Sequence, residues 1–141
     1  MYSDKVIDEA RATARELRLA GWELLAEASN EHVRRVCNGI GPAWMPAVGR
    51  AVMDLLHPTL KVVAILHDLG YDAADGTIAV FRRLNREFAE NGRKVADARF
   101  GCLDPRRYLV RRSARRCAFL CDVFGLPAYV IASRTGKGDA G

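Results

Sequence analysis

The chain has 141 residues, half of them apolar, and 22 Lys and Arg against 17 Asp and Glu give a formal net charge of +5. That length makes one domain able to bury a single core without disulfides or a structural metal, and the near-neutral mean hydropathy is that of an ordinary soluble globular chain. No apolar stretch is long enough to span a bilayer and the charged N-terminus lacks a signal-peptide core, so the expected location is the cytosol.

The first helix is expected from Ser3 or Asp4, either of which can cap it, with Ile7, Ala10, Ala14, Leu17, Gly21 and Leu24 recurring at threes and fours as far as Ser29 and Asn30. Asn38, Gly39, Gly41, Pro42 and Pro46 then break regular structure and predict a tight backbone loop. A short helix over 46–56 follows, with Val48, Val52 and Leu55 on one side. Pro58 suits the first turn of the next helix, which runs to about Tyr71. After the turn D-A-A-D-G, residues 77–94 are periodic again, with Ile78, Phe81, Asn85 and Phe88 on one stripe. Asp104 and Pro105 make a cap and first-turn pair for a last long helix that stops at Gly125. Residues 129–132 read as a short extended piece, and 133–141 as a frayed tail beyond a single domain over 1–132. With no strand alternation and no internal repeat, the class is all-α: a compact helical domain with a central antiparallel helix pair and flanking N- and C-terminal helices.

The four cysteines, Cys37, Cys102, Cys117 and Cys121, form no C-x-x-C pair and read as reduced and partly buried, while His32, Cys37 and His57 are too scattered in sequence for zinc.

Within 61–71, K-V-V-A-I-L-H-D-L-G-Y, three polar groups interrupt an otherwise buried helix. An imidazole or a carboxylate loses several kcal/mol on leaving water unless it finds a partner. His67 and Tyr71 are four apart and share a helical face, whereas Asp68 points elsewhere. The D-A-A-D-G turn folds that face against the stripe of Phe81, Asn85 and Phe88, where Asn85 is itself a polar interruption. Asn85 accepting a hydrogen bond from one ring nitrogen of His67 satisfies both groups and leaves the other nitrogen free to act as a base. A purely structural His–Asn pair has the same spacing.

Three segments resemble the phospholipase A2 superfamily, and its compact bacterial and phage-associated members more than the disulfide-rich secreted animal enzymes. C-N-G-I-G-P at 37–42 looks like the family's calcium-binding glycine loop, H-D-L-G-Y at 67–71 like its H-D-x-x-Y signature, and F-R-R-L-N-R-E-F-A-E-N-G-R-K at 81–94 like its second long helix. The matched stretches cover well under half of the chain. The resemblance implies that His67 is the general base taking a proton from the water that attacks the sn-2 ester of a glycerophospholipid, with Tyr71 supporting the network by hydrogen bonding. It makes Asp68 a calcium ligand, joined by the carbonyl oxygens of Cys37, Gly39 and Gly41, and gives calcium with the Gly39 amide the role of stabilising the oxyanion. The chain departs from the family in two respects. Family half-cystine positions are Val63, Ala64 and Gly70 here, and the position of the histidine-orienting Asp is Asn85, an amide that stabilises a charged imidazole less than a carboxylate does. The 46–56 helix also lengthens the path from loop to motif.

Six arginines and no acid lie between Pro105 and Cys121. Such a block favours an anionic partner, and Arg107, Arg111, Arg112 and Arg115 are the expected contacts to an anionic phospholipid surface. Three functions compete. One is a calcium-dependent phospholipase A2-like hydrolase of prophage origin, released on lysis or virion-associated. A second is a catalytically inactive interaction protein of that fold, of a phage or cell surface. The third is a basic nucleic-acid-binding helical domain using Arg107, Arg111 and Arg115, which has the charge but no recognisable reading motif.

Overall fold

The computed structural model describes residues 2–37 and 58–138, and their regular structure is entirely helical. In chain order the helices are α1 (Asp4–Glu16), α2 (Trp22–Glu27), α3 (Asn30–Val36), a 3-10 turn (Pro58–Leu60), α4 (Lys61–Asp72), α5 (Ile78–Arg99), α6 (Pro105–Phe124) and α7 (Leu126–Gly138). Among the described residues no single helix is long and apolar enough to cross a membrane. The glycine loop with Gly39 and Gly41, the helix expected over 46–56, His57 and the end of the tail from Asp139 lie outside the described residues.

The N-terminal third differs from the single helix that its periodicity predicts. Ser3 does cap α1, accepting from the Val6 N–H at 3.4 Å, and Ile7, Ala10 and Ala14 are buried. The helix ends at Glu16 because Arg18 (φ 46°) and Gly21 (φ 82°) adopt left-handed backbone, which a glycine takes at no steric cost. That turn drops Leu19 into the core and is held from α5: Asn91 accepts from the Ala20 N–H at 2.9 Å and donates to the Ala20 carbonyl at 3.0 Å, and Lys94 donates to the Arg18 carbonyl. Ser29, expected to end the helix, instead begins one, its Oγ accepting from the His32 N–H at the start of α3.

Helix α4 is the axis of the fold. From Val62 to Tyr71 every residue except Asp68 is buried, the pattern of a helix covered on all sides. The turn after it forms as expected, with the Asp75 carboxylate accepting from the Thr77 N–H and hydroxyl, and Thr77 capping α5. Phe81, Asn85 and Phe88 are buried, but Ile78 is not, so the core stripe of α5 starts one turn late.

Helix α6 runs antiparallel to α5: Asn85 meets Asp122, Gly92 meets Ala114, and Asp97 meets Arg107 and Arg111. Its ends are where the sequence puts them, at the Asp104 cap and at Gly125. The extended piece expected over 129–132 is instead part of α7. Pro127 starts that helix rather than stopping one, because a first-turn residue needs no N–H partner, and the Tyr129 N–H continues the helical path by donating to the Gly125 carbonyl at 2.9 Å. Helix α7 continues to Gly138, into the stretch expected to fray.

The α5–α6 contact depends on the missing side chain of Gly92: a Cβ there would overlap the Cβ of Ala114, a stub with no rotamer to move. Overpacking of this kind costs about 1–3 kcal/mol. Gly92→Ala is therefore expected to lower the unfolding free energy by that amount, while Gly101→Ala, where a Cβ meets nothing within 4 Å, leaves it nearly unchanged. Urea unfolding of both variants checks this.

Candidate functional site

The polar residues singled out in α4 and α5 meet in the core. Asn85, with 0% of its surface exposed, places its Oδ1 at 2.8 Å from His67 Nε2 and 2.7 Å from the Tyr71 hydroxyl. Its Nδ2 donates to Asp122 Oδ1 at 2.7 Å. One fully buried amide thus uses both ends, and its burial is compensated by three hydrogen bonds.

Aromatic packing fixes the imidazole. The Tyr71 ring lies 4.2 Å from it, centroid to centroid, and Phe88 meets it edge-on at 5.3 Å. Behind Tyr71, Phe81 and the fully buried Tyr129 close the cluster, and the Tyr129 hydroxyl donates to the Thr77 carbonyl at 2.9 Å. Burial, then the neighbouring Cys121 and the carboxylates of Asp68 and Asp122, push the Tyr71 phenol well above its ordinary range, so it stays protonated and donates to Asn85. Burial likewise pushes the Cys121 thiol up to about 12, which leaves it neutral beside the network.

The other ring nitrogen, His67 Nδ1, has no hydrogen-bond partner among the described residues. Its nearest carboxylate oxygen is Asp68 Oδ1 at 3.9 Å. His67 also lines a cavity of about 170 Å³ of mixed character, with Leu24, Val63, Leu66, Leu84 and Phe88 on its apolar side and Arg83, Glu87 and Asn91 on its polar side.

Cys37, the first residue of the glycine loop, is anchored beside this site. Its Sγ is 3.7 Å from the Ile65 carbonyl of α4, and its thiol is raised by burial and then by the carboxylates of Asp68 and Asp72. The loop therefore departs from the neighbourhood of Asp68. Asp68 is a half-buried carboxylate, and Gly39 and Gly41 lie outside the described residues.

The arginines divide into two groups. Arg107 and Arg111 both grip Asp97 of α5, at 2.8 Å and 2.6–2.7 Å, and Arg106 pairs with Asp104. Arg112 and Arg115 are exposed, as is Arg116. Half of the arginine block is thus paired with two acids, Asp104 and the Asp97 that Arg107 and Arg111 share with Arg93. Among the described residues Arg112, Arg115 and Arg116 have no ion-pair partner, and they sit on the outward face of α6 with Tyr108, Leu109, Phe119, Leu120, Val123 and Phe124, all more than 45% exposed.

Asp122 was not among the residues the sequence singled out. The signal was present: it is the only charged residue between Cys117 and Ala132. No family model, no curated protein and no solved structure matches the chain.

The Asp97 cluster makes a pH prediction. The hydrogen bond from Arg111, with those from Arg107 next, holds the Asp97 carboxyl down at about 2 against an ordinary 3.8. A carboxyl with a depressed folded-state value contributes stability that is complete above about pH 4 and is lost as the pH falls towards 2. Asp97→Asn should be less stable than wild type at pH 7 and should show a flatter loss of stability between pH 4 and 2, measured by urea unfolding across that range.

Proposed function

We propose that the chain is a calcium-dependent hydrolase of the phospholipase A2 type, cleaving a glycerophospholipid ester at an anionic membrane surface. The observation that carries the reading is the convergence of His67 Nε2 and the Tyr71 hydroxyl on Asn85 Oδ1 between two antiparallel helices, which leaves Nδ1 of the same ring beside Asp68.

In this reading His67 Nδ1 takes the proton from the attacking water, and the hydrogen bond at Nε2 keeps the ring turned for that transfer. Tyr71 holds Asn85 and touches no substrate. Asp68, with the carbonyls of Cys37, Gly39 and Gly41, would hold calcium, which when bound polarises the ester carbonyl. The apolar side of the mixed recess beside His67, formed by Leu24, Val63, Leu66, Leu84 and Phe88, gives a lipid chain a surface to leave water against. Arg112 and Arg115, together with the exposed side chains of α6, supply attraction to anionic lipid and an apolar contact, each arginine worth about 1 kcal/mol near such a surface. Arg107 and Arg111 are held by Asp97 and contribute less.

A second reading, an inactive interaction protein built on the same helices, draws on the apolar outward face of α6, which a protein partner would cover as well as a membrane would. The nucleic-acid reading loses two of its three arginines to Asp97.

Calcium separates the two leading readings, because only the hydrolase needs the ion. Isothermal titration should show calcium binding to the wild type with at least a tenfold loss in Asp68→Asn, since neutral carbonyls alone hold the ion poorly, and magnesium should compete weakly. Absence of calcium heat at millimolar concentration, or equal binding by Asp68→Asn, rejects the hydrolase.

A further inference from the structure

We propose that Asp122 is a positioning residue that acts through Asn85 to fix which nitrogen of His67 carries the proton. An amide can present either end to a neighbour, so Asn85 alone does not dictate the state of the ring. Asp122 removes that freedom. An ionised carboxylate only accepts hydrogen bonds, so at 2.7 Å from Asp122 Oδ1 the amide must present Nδ2. Its Oδ1 is then committed to the opposite side, where it can only accept. The Tyr71 hydroxyl donates to it at 2.7 Å, and His67 Nε2, at 2.8 Å, donates as well. The neutral ring is therefore the Nε2–H tautomer, with its lone pair on Nδ1.

A second carboxylate opposes this arrangement. Asp68 Oδ1 stands 3.9 Å from Nδ1 and favours a proton there. The chain of two short hydrogen bonds from Asp122 outweighs a contact too long to be one. The inference rests on His67 being the base of the proposed hydrolase only for its functional consequence: the lone pair must be on Nδ1 for that nitrogen to accept a proton.

The arrangement also accounts for an amide at position 85. A carboxylate there would be a fully buried charge, whereas Asp122 remains exposed and keeps part of its hydration. The negative charge stays at the edge, and the neutral amide carries its polarity inward.

The test is long-range 15N–1H correlation of the His67 ring in the full chain, at a pH where the ring is neutral. Wild type should show Nε2–H alone. Asp122→Asn can be satisfied with the Asn85 amide in either orientation, so the Nδ1–H form should appear at a population comparable to Nε2–H, and kcat for ester hydrolysis should fall about 10- to 100-fold with little change in KM. The swap Asn85→Asp with Asp122→Asn lets the ring donate directly to a carboxylate and should restore the single Nε2–H form. A pure Nε2–H tautomer in Asp122→Asn that melts like wild type overturns the inference, as does a mixed tautomer in the folded swap variant. The spectrum requires no substrate, so a tautomer switch in a protein that neither binds calcium nor hydrolyses lipid supports the role of Asp122 while removing the hydrolase reading.

Discussion

The buried amide of Asn85 is the constraint on which the site depends. It sits with no exposed surface between three helices and receives or gives a hydrogen bond on every one of them except its own: His67 and Tyr71 from α4, Asp122 from α6. An unpaired amide in that position costs about 1–3 kcal/mol, so the relative placement of α4, α5 and α6 is tied to the satisfaction of one side chain. The tight approach of Gly92 to Ala114 lets α6 lie close enough to α5 for the contact at Asp122 to form two turns further along.

Around this point the molecule separates its duties. The aromatic cluster of Tyr71, Phe81, Phe88 and Tyr129 provides rigidity, with ring contacts on two sides of the imidazole and a helix-capping carbonyl taken by the Tyr129 hydroxyl. The Asp97–Arg107–Arg111 cluster fastens the far end of the α5–α6 pair. Among the described residues, packing leaves uncovered the outward face of α6, cationic in the middle and apolar towards its C-terminal end, and a ring nitrogen with no hydrogen bond beside a half-buried carboxylate.

Much of this was legible in the sequence because it follows from local rules. Period 3.6 located α5, the caps Ser3 and Asp104 fixed two helix starts, and the two polar interruptions at His67 and Asn85 could be paired from spacing. The failures come mostly from contacts between distant parts of the chain. Gly21 fits a helical stripe by position, and only the tertiary clamp from Asn91 and Lys94 reveals the turn that it makes. Residues 129–132 read as extended because a first-turn proline at 127 and a helix-ending proline look alike without the preceding carbonyls. The arginine block read as a free cationic face, since its neutralising acid, Asp97, is ten and fourteen residues away in another helix. Asp122 stands out in sequence as a lone charge among apolar residues, but its partner lies 37 residues away and no periodicity links the two.

The central claim is that His67 is a base working on a phospholipid ester. Its most direct test is hydrolysis of the sn-2 ester in phosphatidylglycerol vesicles with calcium present, comparing wild type with His67→Gln proteins of equal thermal stability. The account predicts fatty-acid release by the wild type that needs calcium and is absent in His67→Gln. No release by folded, calcium-supplied wild type, or equal release by both proteins, would contradict it.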